Sequence, residues 1–160
     1  MGFDGVYSVY HYNKDTQKYE KLALYNKNGK ELYDFFPTRD GMLNQLLLGY
    51  NRHGFDFDAI GARRGLPNWY IERLEKEYPD WSDDDDDFEG TYYDYLELRG
   101  WAQGNVCEYP DLMADYDEDD EPPKRNALKD FMQLVNILIG LYGIWYPKPN
   151  EIIIICEMSY

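Results

Sequence analysis

Two runs of carboxylates are the densest chemical feature of the sequence. The first, at 83–89, has five consecutive aspartates and one glutamate around Phe88, and the second, at 115–121, has six carboxylates around Tyr116. Clustered carboxylates can bind a hard cation, take part in metal-dependent hydrolysis or form ion pairs with a basic partner. Because neighbouring carboxylates repel each other, we expect each run to form an exposed loop.

The stretch 85–90 resembles half of an EF-hand calcium loop. It supplies carboxylates at the first, third and fifth positions and Gly90 at the sixth. The twelfth position, where such a loop has a bidentate glutamate, is Leu96, with Glu97 one residue too late. The flanking segments also do not resemble paired helices. We therefore expect no specific metal site and only weak electrostatic binding of divalent cations.

Two short motifs resemble the PD-(D/E)xK nuclease pattern, namely Pro79-Asp80 and Glu97-Leu98-Arg99, with arginine in place of lysine. They lie in segment 77–121, which has 18 acidic side chains and 1 basic one. A net charge of −17 repels a polyanionic substrate, so neither a nuclease nor direct nucleic-acid binding is expected. Nucleophile-elbow, phosphate-loop, dinucleotide and zinc-protease motifs are absent from the sequence. We predict that the protein is not an enzyme and has no catalytic residues and no cofactor.

The remaining reactive side chains are few. His11 lies in a tyrosine-rich strand pattern, where a hydrogen-bonded structural imidazole is the ordinary case, and His53 is the other histidine. Cys107 and Cys156 are not spaced with these histidines for zinc, and no disulfide is expected. We expect Cys156 to be a small core residue.

Basic side chains concentrate at Arg52, His53, Arg63 and Arg64, close to Gly61 and Gly65. Glycines allow backbone amides to approach a bound anion, so a small-anion site is one interpretation. The alternative, which we favour, is that these arginines pair with the protein's own excess of carboxylates.

The net charge belongs to one part of the chain. The protein has 160 residues and a formal net charge of −15, yet residues 1–76 and 122–160 each sum to +1. Hydrophobic residues make up 44% and aromatic residues 18%, enough for a single domain over 1–160 with a real core. A field of this sign disfavours nucleic acid and acidic membranes and favours a basic protein partner.

No signal peptide pattern opens the chain, and the apolar stretches at 134–146 and 152–156 are too short for a membrane span. The expected location is the cytoplasm.

The elements that would position the acidic runs can be predicted from periodicity. The pattern in the first third of the chain predicts a meander of three antiparallel strands at 6–12, 19–25 and 31–36. Short helices are predicted after it, at 42–48 and from Pro67 to Tyr78. Segment 91–98 predicts a strand with Tyr93 and Tyr95 on one face, and a helix over 95–102 is the competing interpretation.

The last third predicts a long helix capped by Asn126 and a buried final strand at 152–156. Ile137 and Leu141 lie off the apolar stripe of that helix, which is therefore central to the fold or packed on both sides. The predicted fold is α+β, a mostly antiparallel sheet with the long C-terminal helix across one face and acidic loops.

Aromatic residues interleave with the carboxylates and suit recognition of arginine- and lysine-rich surfaces. The residues predicted to contact the partner are Trp81, Asp83, Asp84, Asp85, Asp86, Asp87, Glu89, Tyr93, Asp115, Tyr116, Asp117, Glu118, Asp119, Asp120 and Glu121.

In charge layout the chain is similar to the DNA-mimic inhibitors of phages, which include anti-CRISPR and anti-restriction proteins. The similarity implies a binding protein that occupies the basic groove of a nucleic-acid-binding protein. Two alternatives remain open: a small ligand-binding domain or metal-dependent enzyme with structural acidic loops, and an oligomeric interaction protein.

Overall fold

A computed structural model describes residues 4–49, 59–61, 64–80, 90–104, 108–111 and 114–159. The elements follow the order β1 (Asp4–Asn13), β2 (Lys18–Leu22), α1 (Gly41–Leu48), α2 (Asn68–Glu77), β3 (Gly90–Asp94), α3 (Tyr95–Gln103), β4 (Glu108–Pro110), β5 (Lys124–Asn126), α4 (Ala127–Leu141) and β6 (Ile152–Ser159). Strands β2, β1, β6 and β3 form an antiparallel sheet in that order, while β4 pairs with β5 separately. The α+β prediction is confirmed.

Strand β6 occupies the centre of the sheet and is covered on both faces, as its unbroken apolar run predicts. Ile152, Ile154 and Cys156 join the larger core cluster, which contains α4. Ile153 and Ile155 join a second cluster on the opposite face, which contains Tyr70 and Leu74 of α2. Cys156 is fully buried, which confirms its assignment to the core.

Helix α4 connects the sheet to the rest of the core. Asn126 caps it by accepting a hydrogen bond from the Lys129 amide at 2.9 Å, as predicted. Its buried side chains recur every three or four residues and pack with α1, α3 and the sheet; they include Leu128, Phe131, Met132, Val135, Leu138 and Ile139. Among the described residues, no helix is both long enough and apolar enough to cross a membrane.

The predicted third strand of the meander, at 31–36, is wrong. Only one bridge forms there, between Tyr25 and Glu31, across a tight turn in which the Asn26 side chain accepts from the amides of Asn28 and Lys30. The free edge of β1 is taken by β6, with Tyr7 opposite Cys156.

Segment 91–98 combines the strand and helix interpretations. The strand ends at Asp94, whose side chain accepts a hydrogen bond from the Leu96 amide at 3.0 Å and starts α3. Tyr95 therefore lies in a helix, and the predicted single strand through Leu98 is wrong.

Candidate functional site: an acidic loop on a fixed base

The second acidic run forms the exposed loop between β4 and β5, called here the acidic loop (residues 114–123). Tyr109 of β4 faces Arg125 of β5 in the antiparallel pair that closes its base. The Asp111 amide donates to the Pro123 carbonyl at 2.7 Å just above this pair. Since β5 runs directly into α4, the loop joins the core at the start of that helix.

Arg125 ties the base of the loop to two helices. Its guanidinium donates to Asp40 Oδ2 at 2.5 Å and to Asp130 Oδ2 at 3.0 Å. Asp40 is also the N-cap of α1, where its side chain accepts from the Leu43 amide, and Asp130 lies in the first turn of α4. One arginine therefore fixes the loop base against two helix N-termini.

The tip of the loop presents its carboxylates together. The Asp120 amide donates to the Asp117 carbonyl at 2.9 Å, which turns the chain back on itself. A shallow surface pocket of about 430 Å³ opens beside this turn, lined by Asp115, Tyr116, Asp117, Asp120, Glu121 and Pro123. Tyr116 is 50% exposed, so its ring is available to a partner together with the carboxylates.

The carboxylates of the acidic loop form no ion pair with a described residue. The ion pairs between described residues lie elsewhere: His11–Glu151, Lys21–Glu31, Arg39–Asp4, Arg64–Glu97, Arg125–Asp40 and Arg125–Asp130. The arrangement gives a concentrated negative patch, and the nearby Arg125 is already paired with Asp40 and Asp130.

The predicted contacts of the first acidic run lie outside the described residues. They are Trp81, Asp83, Asp84, Asp85, Asp86, Asp87 and Glu89, and the partial EF-hand falls on the same stretch. Within the described residues, no cluster of three or more metal-ligating side chains is present.

Among the predicted contacts that the structure describes, Tyr93 alone is buried. It is 1% exposed, and its hydroxyl donates to the Leu47 carbonyl at 2.7 Å. The side chain points from β3 into the larger core cluster, opposite Ile154 of β6. The expectation of an exposed Tyr93 ring is therefore wrong.

Arg64 pairs with the protein's own carboxylates, as favoured from the sequence. It forms a two-point ion pair with Glu97 and lies 5.7 Å from the Tyr92 ring centre. Its amide also donates to Thr91 Oγ1 at 3.1 Å. This pairing occupies the glutamate of the nuclease-like motif. Arg52, His53, Arg63 and Cys107 lie outside the described residues.

His11 has a structural partner, because its Nε2 lies 3.2 Å from Glu151 Oε1. The backbone amide of Lys148 donates to the same glutamate at 2.8 Å and, together with His11, holds the Glu151 pKa below its usual value. The expectation of a hydrogen-bonded imidazole is confirmed.

A half-buried polar cluster, not predicted from the sequence, lines a cavity of about 120 Å³ beside β1 and β2. There the Tyr70 hydroxyl donates to Glu157, and Lys21 pairs with Glu31 at 2.6 Å. Burial raises the pKa of Glu157, against the lowering effects of the Tyr70 hydrogen bond and the Lys21 charge. Burial also raises the pKa of Tyr70. A single charged residue in the apolar run 152–158 was the available sequence signal.

Comparison with protein-family models, with curated proteins and with solved structures found no match to this chain.

Proposed function

We propose that the protein is a non-enzymatic binding protein whose acidic loop docks on the basic groove of a nucleic-acid-binding protein. The carboxylates occupy positions that the partner uses for phosphates, so the protein acts as a nucleic-acid mimic and competitor. This chemistry best suits an inhibitor that a phage directs against a host-defence protein, such as a CRISPR effector.

The observation that supports this proposal is the fixed base of the acidic loop. A flexible acidic tail loses conformational entropy when it binds, and that loss weakens its affinity. Here the β4–β5 pair, the Asp111–Pro123 hydrogen bond and the Arg125 ion pairs order the base before the partner arrives. The carboxylates therefore meet a basic surface as a partly preorganised group.

The chemistry of the tip suits an arginine- or lysine-rich surface. Each carboxylate can accept charge-assisted hydrogen bonds, and a guanidinium can bind two oxygens at once. Tyr116 adds an aromatic face for a cation, and its exposure beside Asp115 and Asp117 lets one basic side chain contact the ring and a carboxylate together.

The test is affinity capture from the source cell at low and at high salt, followed by elution of the captured protein with duplex DNA. The loop variant carries Asp117→Asn, Glu118→Gln, Asp119→Asn and Asp120→Asn. A control variant with the same change in net charge carries Asp15→Asn, Asp34→Asn, Glu75→Gln and Glu77→Gln, all exposed and outside the ion pairs between described residues.

We expect wild type and the control to capture a nucleic-acid-binding protein that salt and DNA release. The loop variant should capture much less of it. Equal loss in both variants would show that total charge matters and the loop position does not, and capture that survives DNA and high salt would reject the mimic.

A further inference from the structure

The end of α4 and the loop after it form the least charged part of the protein. Between residues 131 and 150, the only charged side chain is Lys148. Five large side chains are exposed there: Ile137 at 53%, Leu141 at 65%, Tyr142 at 46%, Trp145 at 72% and Tyr146 at 92%. They are called here the α4 patch. The Tyr142 hydroxyl is hydrogen-bonded to the backbone of Ala23, which covers part of that ring. The other four side chains are more than half exposed, so an apolar surface lies open on a protein of net charge −15.

The near side of the patch is fixed by the way α4 ends. Gly143 has a positive φ of 71°, and its amide donates to the Gly140 carbonyl at 3.0 Å. The Ile144 amide donates to the Ile139 carbonyl at 3.0 Å, which completes a Schellman motif. Trp145 then lies over Gly140, with a ring carbon 3.6 Å from the position that a Cβ at Gly140 would take.

The far side of the patch is held by the sheet. The Asn150 amide donates to Asp94 Oδ2 at 2.7 Å, and the Tyr19 hydroxyl donates to the Asn150 carbonyl at 2.7 Å. Tyr146 lies between Gly143 and Asn150 and has a φ of 58°, a conformation that is unfavourable for a residue with a Cβ. This constrained turn holds an almost fully exposed ring in solvent, next in sequence to Trp145.

We propose that the α4 patch is the interface of a homodimer and that a second copy of the chain covers it. The exposed fractions of the five side chains amount to on the order of 600 Å² per copy, taking roughly 150–250 Å² for each aromatic residue. A standard interface buries about 800 Å² per partner, so the patch and its rim approach that size. A two-fold axis places the same apolar patch on both sides, as an isologous contact requires.

The distribution of charge disfavours two other occupants of the patch. A patch without carboxylates gives no electrostatic attraction to the basic partner proposed above, and the net charge disfavours an acidic membrane surface. The acidic loop ends at β5, which leads into the opposite end of α4. That helix has 15 residues and is roughly 20 Å long at about 1.5 Å per residue. This exceeds the Debye length of about 8 Å at physiological salt, so the two loop bases do not oppose dimerisation strongly.

The test is sedimentation equilibrium of the full chain over a range of protein and salt concentrations. We expect a monomer–dimer equilibrium that becomes tighter as salt rises, because salt screens the repulsion between two acidic copies. Binding to a basic partner has the opposite salt dependence, so failure of this inference is distinguishable from failure of the proposed function.

The informative variants are Trp145→Ser and Tyr146→Ser, each expected to weaken the dimer roughly tenfold or more, as for a central interface residue. Tyr116→Ser is the matched control, since it also replaces an exposed tyrosine by serine but lies in the acidic loop, and it should leave the dimer unchanged. Circular dichroism should show the same fold for all three, because none of these side chains is buried.

Three results would overturn the proposal. One is a monomer at every protein and salt concentration. Another is self-association that persists in both patch variants. The third is a monomer that floats with neutral phosphatidylcholine vesicles and loses that property in Trp145→Ser, which would assign the patch to a bilayer surface.

Discussion

The acidic loop and the α4 patch lie at opposite ends of the same helix and present opposite chemistry to the solvent. The loop has six carboxylates between residues 115 and 121, whereas residues 131–150 have one charged side chain. Both are fixed at their bases, the loop by Arg125 and the patch by the Schellman turn at Gly143. Charge and apolar surface are therefore separated along α4, and the two partners that we propose would bind at separate sites.

Both surfaces depend on the core between them, and the largest expected effect comes from breaking that core. Ile154→Ala on β6 should cost about 2–5 kcal/mol of unfolding free energy, since a fully buried side chain leaves a cavity. Ile137→Ala, in the exposed patch, should change the stability of the monomer by no more than about 0.5 kcal/mol. Urea denaturation of the two variants measures the contrast. Comparable losses would mean that Ile137 is buried in the folded protein under the conditions used.

Arg125→Met should loosen the base of the acidic loop and leave the α4 patch unchanged. Loss of charged hydrogen bonds to Asp40 and Asp130 should cost about 1–3 kcal/mol, because the Asp40 side chain, only 9% exposed, is left without its cation. Arg39→Met removes an exposed pair with Asp4 and should cost at most about 1 kcal/mol. Partner capture should fall in Arg125→Met beyond its loss of stability, and self-association should not change. Unaltered capture would show that the base need not be fixed.

Periodicity predicted the two elements on which both surfaces depend, α4 and β6, because their apolar residues recur at the spacing of a helix and as an unbroken strand. It could not predict whether Ile137 and Leu141 are covered, since a helix that is apolar all round looks the same whether a core or a partner surrounds it. Arg125 binds Asp40, which lies 85 residues earlier in the chain, and such a tertiary contact has no local sequence pattern.

The Tyr93 error has a similar cause. Alternation along β3 places Thr91 and Tyr93 on one face, but only the packing of the sheet decides which face the core covers. A strand near an acidic run suggested an exposed aromatic, yet β3 pairs with the buried β6 and turns Tyr93 inward.

Tyr93→Phe tests that correction and sharpens the boundary between core and docking surface. Removing the hydroxyl leaves the Leu47 carbonyl without this donor and should cost about 1 kcal/mol. Capture of the basic partner should be unchanged, whereas Tyr116→Ser should weaken capture. Urea denaturation and capture are measured on both variants. Lower capture by a fully folded Tyr93→Phe variant would mean that Tyr93 contacts the partner after all.

The smallest expected effect is on the pH dependence of stability, which distinguishes a half-buried carboxylate from an exposed one. Glu157 is half-buried on β6, whereas the carboxylates of the acidic loop are exposed. Burial raises the folded-state pKa of Glu157, so the folded protein holds this proton more tightly than the unfolded chain does. Stability contributed by Glu157 is therefore lost as pH rises from its unfolded pKa through its folded pKa. Glu157→Gln keeps an oxygen for the Tyr70 hydroxyl and should gain stability relative to wild type as pH rises to neutral.

Glu151→Gln is the control with the opposite sign, because the Lys148 amide and His11 lower the pKa of Glu151. Its stabilising contribution is present above the unfolded pKa and disappears as pH falls through the folded pKa, so this variant should lose stability at neutral pH and approach wild type in acid. Urea denaturation from acidic to neutral pH should therefore give difference curves that diverge in opposite directions. Parallel curves would mean that Glu157 is solvated in the folded protein, in which case its position on β6 does not distinguish it from the carboxylates of the loop.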